Sequence, residues 1–237
     1  LPRGDSPSAL FCIGQANAEN YINSGFFIGA QAGYTHGKGR FDSVYDDGPI
    51  FGPDVYRDSK KARKSAGLIG ILGGYRYVFT NGFTLGGDIA ANYYGKQELK
   101  VNLYHPNAAD LFVNRLKRKA SFIPRLSVGK VFGGRFHASL GFGLGISRFS
   151  HQIDNRSRAT GPSVKSSSTR FAFVPSAQIE YACTKRISLI GSASYEMYNR
   201  VKKYYGQAIE PLLDGTNYTS SIKPKYVTLT AGFIVKL

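Results

Sequence analysis

The sequence predicts an all-β chain: an eight-stranded antiparallel up-and-down transmembrane β-barrel. Three observations predict it. First, Phe83–Tyr94 alternates strictly. Phe83, Leu85, Gly87, Ile89, Ala91 and Tyr93 form an apolar series, while Thr84, Gly86, Asp88, Ala90, Asn92 and Tyr94 are small or polar. Strand side chains alternate faces, so this segment has one oily wall and one polar wall. Second, the pattern recurs eight times, with short and long connections alternating, as a membrane barrel requires. Third, the polar faces are rich in Gly and Ser, whereas the apolar faces carry Phe, Leu and Ile. Small residues suit the tight interior of an eight-stranded barrel; large ones fit only its exterior.

The strands follow in order. The first spans residues 25–35, with Phe26, Ile28, Ala30, Ala32 and Tyr34 on one face. A long polar loop, 36–60, follows. The second strand, 65–79, turns Ile69, Ile71, Tyr75, Tyr77 and Phe79 outward and Leu68, Leu72 and Arg76 inward. Thr80-Asn81-Gly82 is a tight turn, because Asn-Gly accepts the positive φ of a hairpin. The third strand extends from residue 83 to 101, and a second long loop covers 102–116. The fourth, 120–132, turns Phe122, Leu126, Val128 and Phe132 outward. Pro124 within it lacks a ladder donor, so a bulge is expected there. Gly133-Gly134-Arg135 is the second short turn. The fifth strand has Phe136, Leu140, Phe142 and Leu144 outward and His137, Ser139 and three glycines inward. Residues 150–169 form the third long loop. The sixth strand, 170–181, and the seventh, from Ile187, flank a short turn at 182–186. Residues 200–223 form the fourth loop, and the eighth strand sets Val227, Leu229, Ala231, Phe233, Val235 and Leu237 outward.

The bounds agree. No apolar run is long enough for a transmembrane helix. The slightly negative mean hydropathy of -0.22 is compatible with a membrane barrel, whose inward faces and loops are polar. Lys and Arg number 31 against 15 Asp and Glu, a formal charge of +16. Such an excess suits a polyanionic partner. The basic residues fall in loops and not along a groove, which favours surface anions over nucleic acid. Residues 1–18 read as the tail of a secretory signal, because Ala16-Asn17-Ala18 fits a signal-peptidase site. The barrel domain is then 19–237. Cys12 and Cys183 imply no disulfide framework, and neither has a neighbour at metal spacing.

The opening strand GFFIGAQAGY, the segment GGYRYVFTNGFTLGGDIAANYY, the pair FVPSAQIEYACTKRISLIGSASYEMY and the final YVTLTAGFIVKL resemble one family. It is the small outer-membrane barrels of Gram-negative bacteria, of the outer-membrane-protein-A and opacity-protein type. The resemblance implies a location in the bacterial outer membrane. It also implies contact with outer-membrane lipid and lipopolysaccharide, assembly by the barrel-assembly machinery, and contact with host surface molecules. That machinery commonly reads a terminal aromatic residue; here the last outward residues are Phe233, Val235 and Leu237.

Two sets of residues are candidates for function. Arg76, Asp88, Arg125, Glu180 and Glu196, with His137, point inward. Charges in a narrow lumen are costly unless paired, so they predict an ion-pair network that plugs the barrel, with Asp88 meeting Arg76 or Arg125. A gated path for ions or small solutes is the alternative. The second set is basic and lies at the loop side: Lys60, Lys61, Arg63, Lys64, Arg115, Lys117, Arg118, Lys119, Arg200, Lys202 and Lys203. It reads as a ring facing lipopolysaccharide phosphates or sulfated glycans. His36, His105 and His151 read as solvated loop histidines. No catalytic spacing, zinc spacing or dinucleotide fingerprint occurs, so neither enzyme chemistry nor a cofactor is expected. An outer-membrane enzyme acting on lipid or peptide would need acid, base and nucleophile clustered at the outer rim.

Overall fold

The computed structural model describes residues 21–46, 55–104, 111–155, 163–206 and 217–237. The signal-peptide reading of residues 1–18 and His105 lie outside them. The described strands are β1 (Gly25–Asp46), β2 (Val55–Val78), β3 (Phe83–Tyr94), β4 (Glu98–Tyr104), β5 (Leu111–Phe132) and β6 (Phe136–Asn155). They continue as β7 (Ser163–Ala182), β8 (Ile187–Tyr198), β9 (Val201–Gly206), β10 (Asn217–Ile222) and β11 (Lys225–Lys236). Eight of them close an antiparallel ring in the order β1, β2, β3, β5, β6, β7, β8, β11. β11 returns to β1 from Phe27↔Lys236 up to Lys38↔Lys225.

The short turns behave as their residues require. Gly82 adopts φ +80, and Gly133 and Gly134 adopt +56 and +70. Asn81 stays at negative φ, and its Oδ1 accepts the Phe83 amide at 3.1 Å. Only the glycine of the Asn-Gly pair therefore takes the left-handed conformation.

In the lower half of the ring the apolar faces point outward. Ile71 and Leu140 are each 67% exposed, and Phe26, Ile28, Ile69, Leu126, Val128 and Phe142 are exposed with them. Tyr34 and Tyr93 bound this belt above, and Tyr75, Tyr77, Phe79, Phe83, Phe132 and Phe136 bound it below. From Phe83 to Tyr93 the strand rises about 33 Å. At the usual tilt this spans about 25 Å of membrane normal, the height of a barrel's apolar band.

Much of the expected long loops is strand. Residues 36–46, 55–60, 102–104, 111–116, 150–155, 163–169, 201–206 and 217–222 are strand. The ring strands run on above the belt, so β1, β2 and β5 have 22, 24 and 22 residues. The ring also splits there. β9, β10, β1 and β2 form one sheet; β4, β5, β6 and β7 form the other. No ladder joins β2 to β4 or β7 to β9 among the described residues. The splits follow local breaks. Gly95–Gln97 interrupts β3 and β4, and Pro224, which has no N–H, separates β10 from β11.

The two upper sheets enclose an apolar core. Phe41, Ala62, Val201, Tyr218 and Ile222 face Leu99, Val101, Leu103, Phe112, Leu116, Phe149 and Ile153. Phe112 stacks on Tyr218 across the sheets at 4.4 Å between centroids. The molecule therefore inverts at its waist. Below it is oily outside and polar inside; above it is packed like a sandwich, with charge outside.

Candidate functional site

The interior charges pair at three levels, across the lumen for Arg76–Glu180 and Arg118–Glu196 and between neighbouring strands for Arg125–Asp88. Arg76 Nη2 lies 2.5 Å from Glu180 Oε2, with His137 and Lys236 at 3.7 and 3.6 Å from the same carboxylate. One ladder row away, Arg125 donates from Nε and Nη2 to Asp88 Oδ1 at 2.8 and 2.6 Å. Asp88 thus meets Arg125, one of its two expected partners. The space between these tiers, lined by Arg76, Asp88, Ser127, His137 and Ser139, is about 10 Å³, at the lower limit for one water. Gln31, Asn92, Thr230 and Ser192 continue the network upward, beginning with Gln31 Nε2 to Asn92 Oδ1 at 2.7 Å.

The third level lies at the waist, and its cation is Arg118, which the sequence places in the loop-side basic set. Arg118 is fully buried, not a loop residue facing anions. It forms an ion pair with Glu196. It also donates to the Tyr94 and Tyr198 hydroxyls at 2.6 and 2.9 Å. Its guanidinium stacks at 3.9 Å from the Tyr94 ring centroid and 4.6 Å from that of Tyr226. The Tyr198 hydroxyl donates to Glu196 Oε2 at 2.6 Å. The cause is a β-bulge. The β5–β6 register shifts by one residue between Arg118 and Ser121, so Lys119 and Ala120 both face out. Even-numbered residues point to lipid below this bulge and into the core above it. The bulge is thus at Lys119-Ala120 and not at Pro124. At Pro124 the β5–β6 ladder skips two pairs but resumes in the same register.

The other basic residues lie above the belt, on strands except for Arg200 in the link between β8 and β9. Lys61, Arg63, Lys64, Lys117, Lys119, Arg200 and Lys202 are exposed. Some are engaged. Lys117 pairs with Glu98 at 3.1 Å, and Arg115 lies 3.4 Å from Asp154. Lys60 Nζ donates to Asn102 O at 2.9 Å and bridges β2 to β4. Lys203 is half-buried near His151.

One group is not engaged. Lys38 stands opposite Lys225 on β11 and Arg63 on β2, and all three are exposed. The next row up pairs Arg40 with Lys61. Asp42 approaches Arg40 at 3.3 Å; no acid pairs with Lys38, Arg63 or Lys225 among the described residues. Like charges directly opposite on a sheet are destabilising. The row lies two ladder rows above the Tyr34 girdle, where a lipid headgroup or surface polymer would lie. Lys38 and Lys225 were missed because neither lies in a run of adjacent basic residues; only the register of β11, β1 and β2 assembles them.

His151 is also not a solvated loop residue. It is fully buried on β6, 6.1 Å from the Phe41 ring, and neither ring nitrogen has a partner. Burial, followed by the nearby Lys203 charge, pushes its pKa down to about 4. Burial raises that of the Tyr218 hydroxyl, which receives a hydrogen bond from Asn114 Nδ2 at 2.7 Å and donates to Ser43 Oγ at 2.9 Å.

No protein-family model matches the chain, and no curated protein sequence matches it. Solved structures do. The outer membrane protein OprG of Pseudomonas aeruginosa aligns over 92% of this chain and 98% of its own, at 11% identity and a TM-score of 0.56. The outer membrane protease OmpT of Escherichia coli aligns over 93% and 100%, at 9% identity and a TM-score of 0.50. The likeness gives this chain the fold of the small Gram-negative outer-membrane barrels. With the exposed apolar belt, it places the chain in the bacterial outer membrane.

Proposed function

We propose that this outer-membrane barrel is a non-enzymatic surface-interaction protein whose cation row, Lys225, Lys38 and Arg63, binds phosphate or sulfate groups. One observation carries the reading: three exposed like charges stand in one ladder row with no acid paired to them among the described residues. A bound polyanion would turn that repulsion into attraction. Lys61 and Arg40 extend the row upward, and Lys64, Lys119 and Lys202 lie on the same charged exterior. The shared ligand chemistry has two sources, lipopolysaccharide phosphates in the same membrane and sulfated glycans of a host surface. The three tiers of lumen ion pairs weigh against the pore reading. Under this reading no reaction is catalysed, and β11 serves as the strand presented to the barrel-assembly machinery.

The test uses the protein in phosphatidylcholine nanodiscs with Lys38→Gln, Arg63→Gln and Lys225→Gln combined. Binding to lipopolysaccharide vesicles and to heparin fragments is measured across a salt series. The triple variant is expected to lose about tenfold or more in affinity and to show a flatter salt dependence. Loss with only one of the two anions identifies the source. Unchanged binding to both would remove the assignment.

A further inference from the structure

The split of the upper sheets leaves a strand edge without a neighbour. β7 pairs with β6 as far as Asp154↔Ser163, but its ladder to β8 ends at Ala172↔Tyr198. Above that point β8 gives way to β9, which pairs with β10 and not with β7. One backbone bond, Asn199 N to Phe171 O at 3.1 Å, closes the bottom of the gap. Residues 163–170 are therefore a strand bonded on one side only, among the described residues.

The register shows which groups face the gap. Pro175 has no N–H, and the β7–β8 ladder skips it while the β6–β7 ladder runs through it. Odd-numbered residues of β7 thus bond toward β8, as the Phe171 carbonyl does. Continued upward, the amides and carbonyls of Ser163, Lys165, Ser167 and Thr169 aim at the open edge. An unpaired row of this kind is a template for another strand. It carries no Pro and no bulge.

Charge selects the occupant. Arg148 on β6, Lys165 on β7, Arg200 just before β9 and Lys202 on β9 are all exposed around the gap. Asp154, at the outer end, accepts from Ser163 Oγ at 2.6 Å and faces Arg115 at 3.4 Å. A second copy of this chain would bring the same cations to the same edge and be repelled. An acidic strand would be drawn in.

We propose that the outer half of β7 is a docking edge for an extended acidic peptide, which adds as a strand with carboxylates at every second position facing Lys165, Arg148 and Lys202. The backbone ladder supplies the affinity and the alternating charges the specificity. This goes beyond the cation row on β11, β1 and β2, which lies on other strands.

The probe is a labelled octapeptide alternating Glu and Thr, with the Lys–Thr octapeptide as control. The full chain is held in phosphatidylcholine nanodiscs. The Glu peptide is expected to bind and the Lys peptide not to. Ser167→Pro removes one edge-facing N–H and leaves the β6 ladder intact, so it should weaken binding by about tenfold. Ser167→Ala should leave binding unchanged, and Lys165→Glu should weaken it. Retention of heat-modifiable migration confirms that the variants fold. In the unaltered protein, amide exchange at residues 163, 165, 167 and 169 should slow when the Glu peptide is bound. The Lys38, Arg63 and Lys225 triple variant should bind the peptide as before, which separates the two sites. Equal binding of both peptides, no binding, indifference to Ser167→Pro, or association of the chain with itself through this edge would each overturn the proposal.

Discussion

Arg118 shows how much a single side chain at the waist carries. A fully buried guanidinium is tolerable only because Glu196 neutralises it and two tyrosine rings and hydroxyls surround it. Glu196→Ala leaves that charge unpaired and should cost about 3–5 kcal/mol in urea unfolding from lipid vesicles. Replacing the pair together, Arg118→Met with Glu196→Leu, should cost far less, because no orphan charge remains. If the single and double variants are equally destabilised, the ion pair is not what holds the waist. His151 gives a pH signature at the same scale. Its folded pKa of about 4 lies below the ordinary 6.5, so the unfolded chain binds the proton more readily. Its contribution to stability is complete above pH 6.5 and is lost as pH falls through 4. The loss is on the order of 3 kcal/mol by pH 4. His151→Leu should remove that part of the slope, and an unaltered slope would show that other groups set it.

At the scale of one strand, β1 makes the polarity inversion visible. Even residues face out throughout, changing from Phe26, Ile28 and Tyr34 to His36, Lys38, Arg40 and Asp42. Odd residues face in, changing from Gln31 and Thr35 to Phe41. The strand leaves the membrane near residue 36 and enters a water-exposed sheet without changing register. Gly37 and Gly39 allow the close packing there. A Cβ at Gly37 would meet the Tyr226 ring at 2.5 Å, and one at Gly39 would meet Ile222 Cδ1 at 2.6 Å. Phe41→Ala should destabilise by about 3–5 kcal/mol through the lost burial and the cavity left behind. It should do so by loosening the upper sheets first. Limited proteolysis should cut above the waist while the belt stays protected. Simultaneous loss of both halves would mean that they unfold as one unit.

The whole molecule is a closed ring in lipid that opens into two sheets in water. Closure is obligatory in the membrane, where an unpaired backbone group has no water to bond. Above the belt water satisfies free edges, so the ring can split and bury an apolar core instead. That core and the three lumen tiers lie in series along the barrel axis. A planar bilayer should therefore show no steady discrete openings. Glu196→Ala combined with Asp88→Ala, which unpairs two of the tiers, should be more prone to leak. Regular openings of the unaltered protein would defeat the plugged-lumen reading and favour the pore.

The strand faces below the waist were legible in the sequence because lipid imposes strict alternation. Phe83–Tyr94 and residues 136–146 read correctly residue by residue, and so did the inward charges Arg76, Asp88, Arg125, Glu180 and Glu196. The upper strands were illegible as strands, because in water the outward residues are Lys, Arg and Ser and look like loop. Their inward series is apolar, but its phase has no fixed relation to that of the belt: Phe41 and Ile153 fall on the opposite phase, whereas Leu116 keeps it through the bulge and Leu99 keeps it across the β3–β4 break. Chain order alone determined the ring of eight and its lipid face, since alternation and turn spacing are local properties. Partnership was decided only in three dimensions. The bulge at Lys119-Ala120 turned Arg118 inward, and the register of β11, β1 and β2 brought Lys225, Lys38 and Arg63 into one row. The physical reason is the same in both cases: a shift of one residue between strands reverses a side chain's face, and the residues on either side of the shift do not record it.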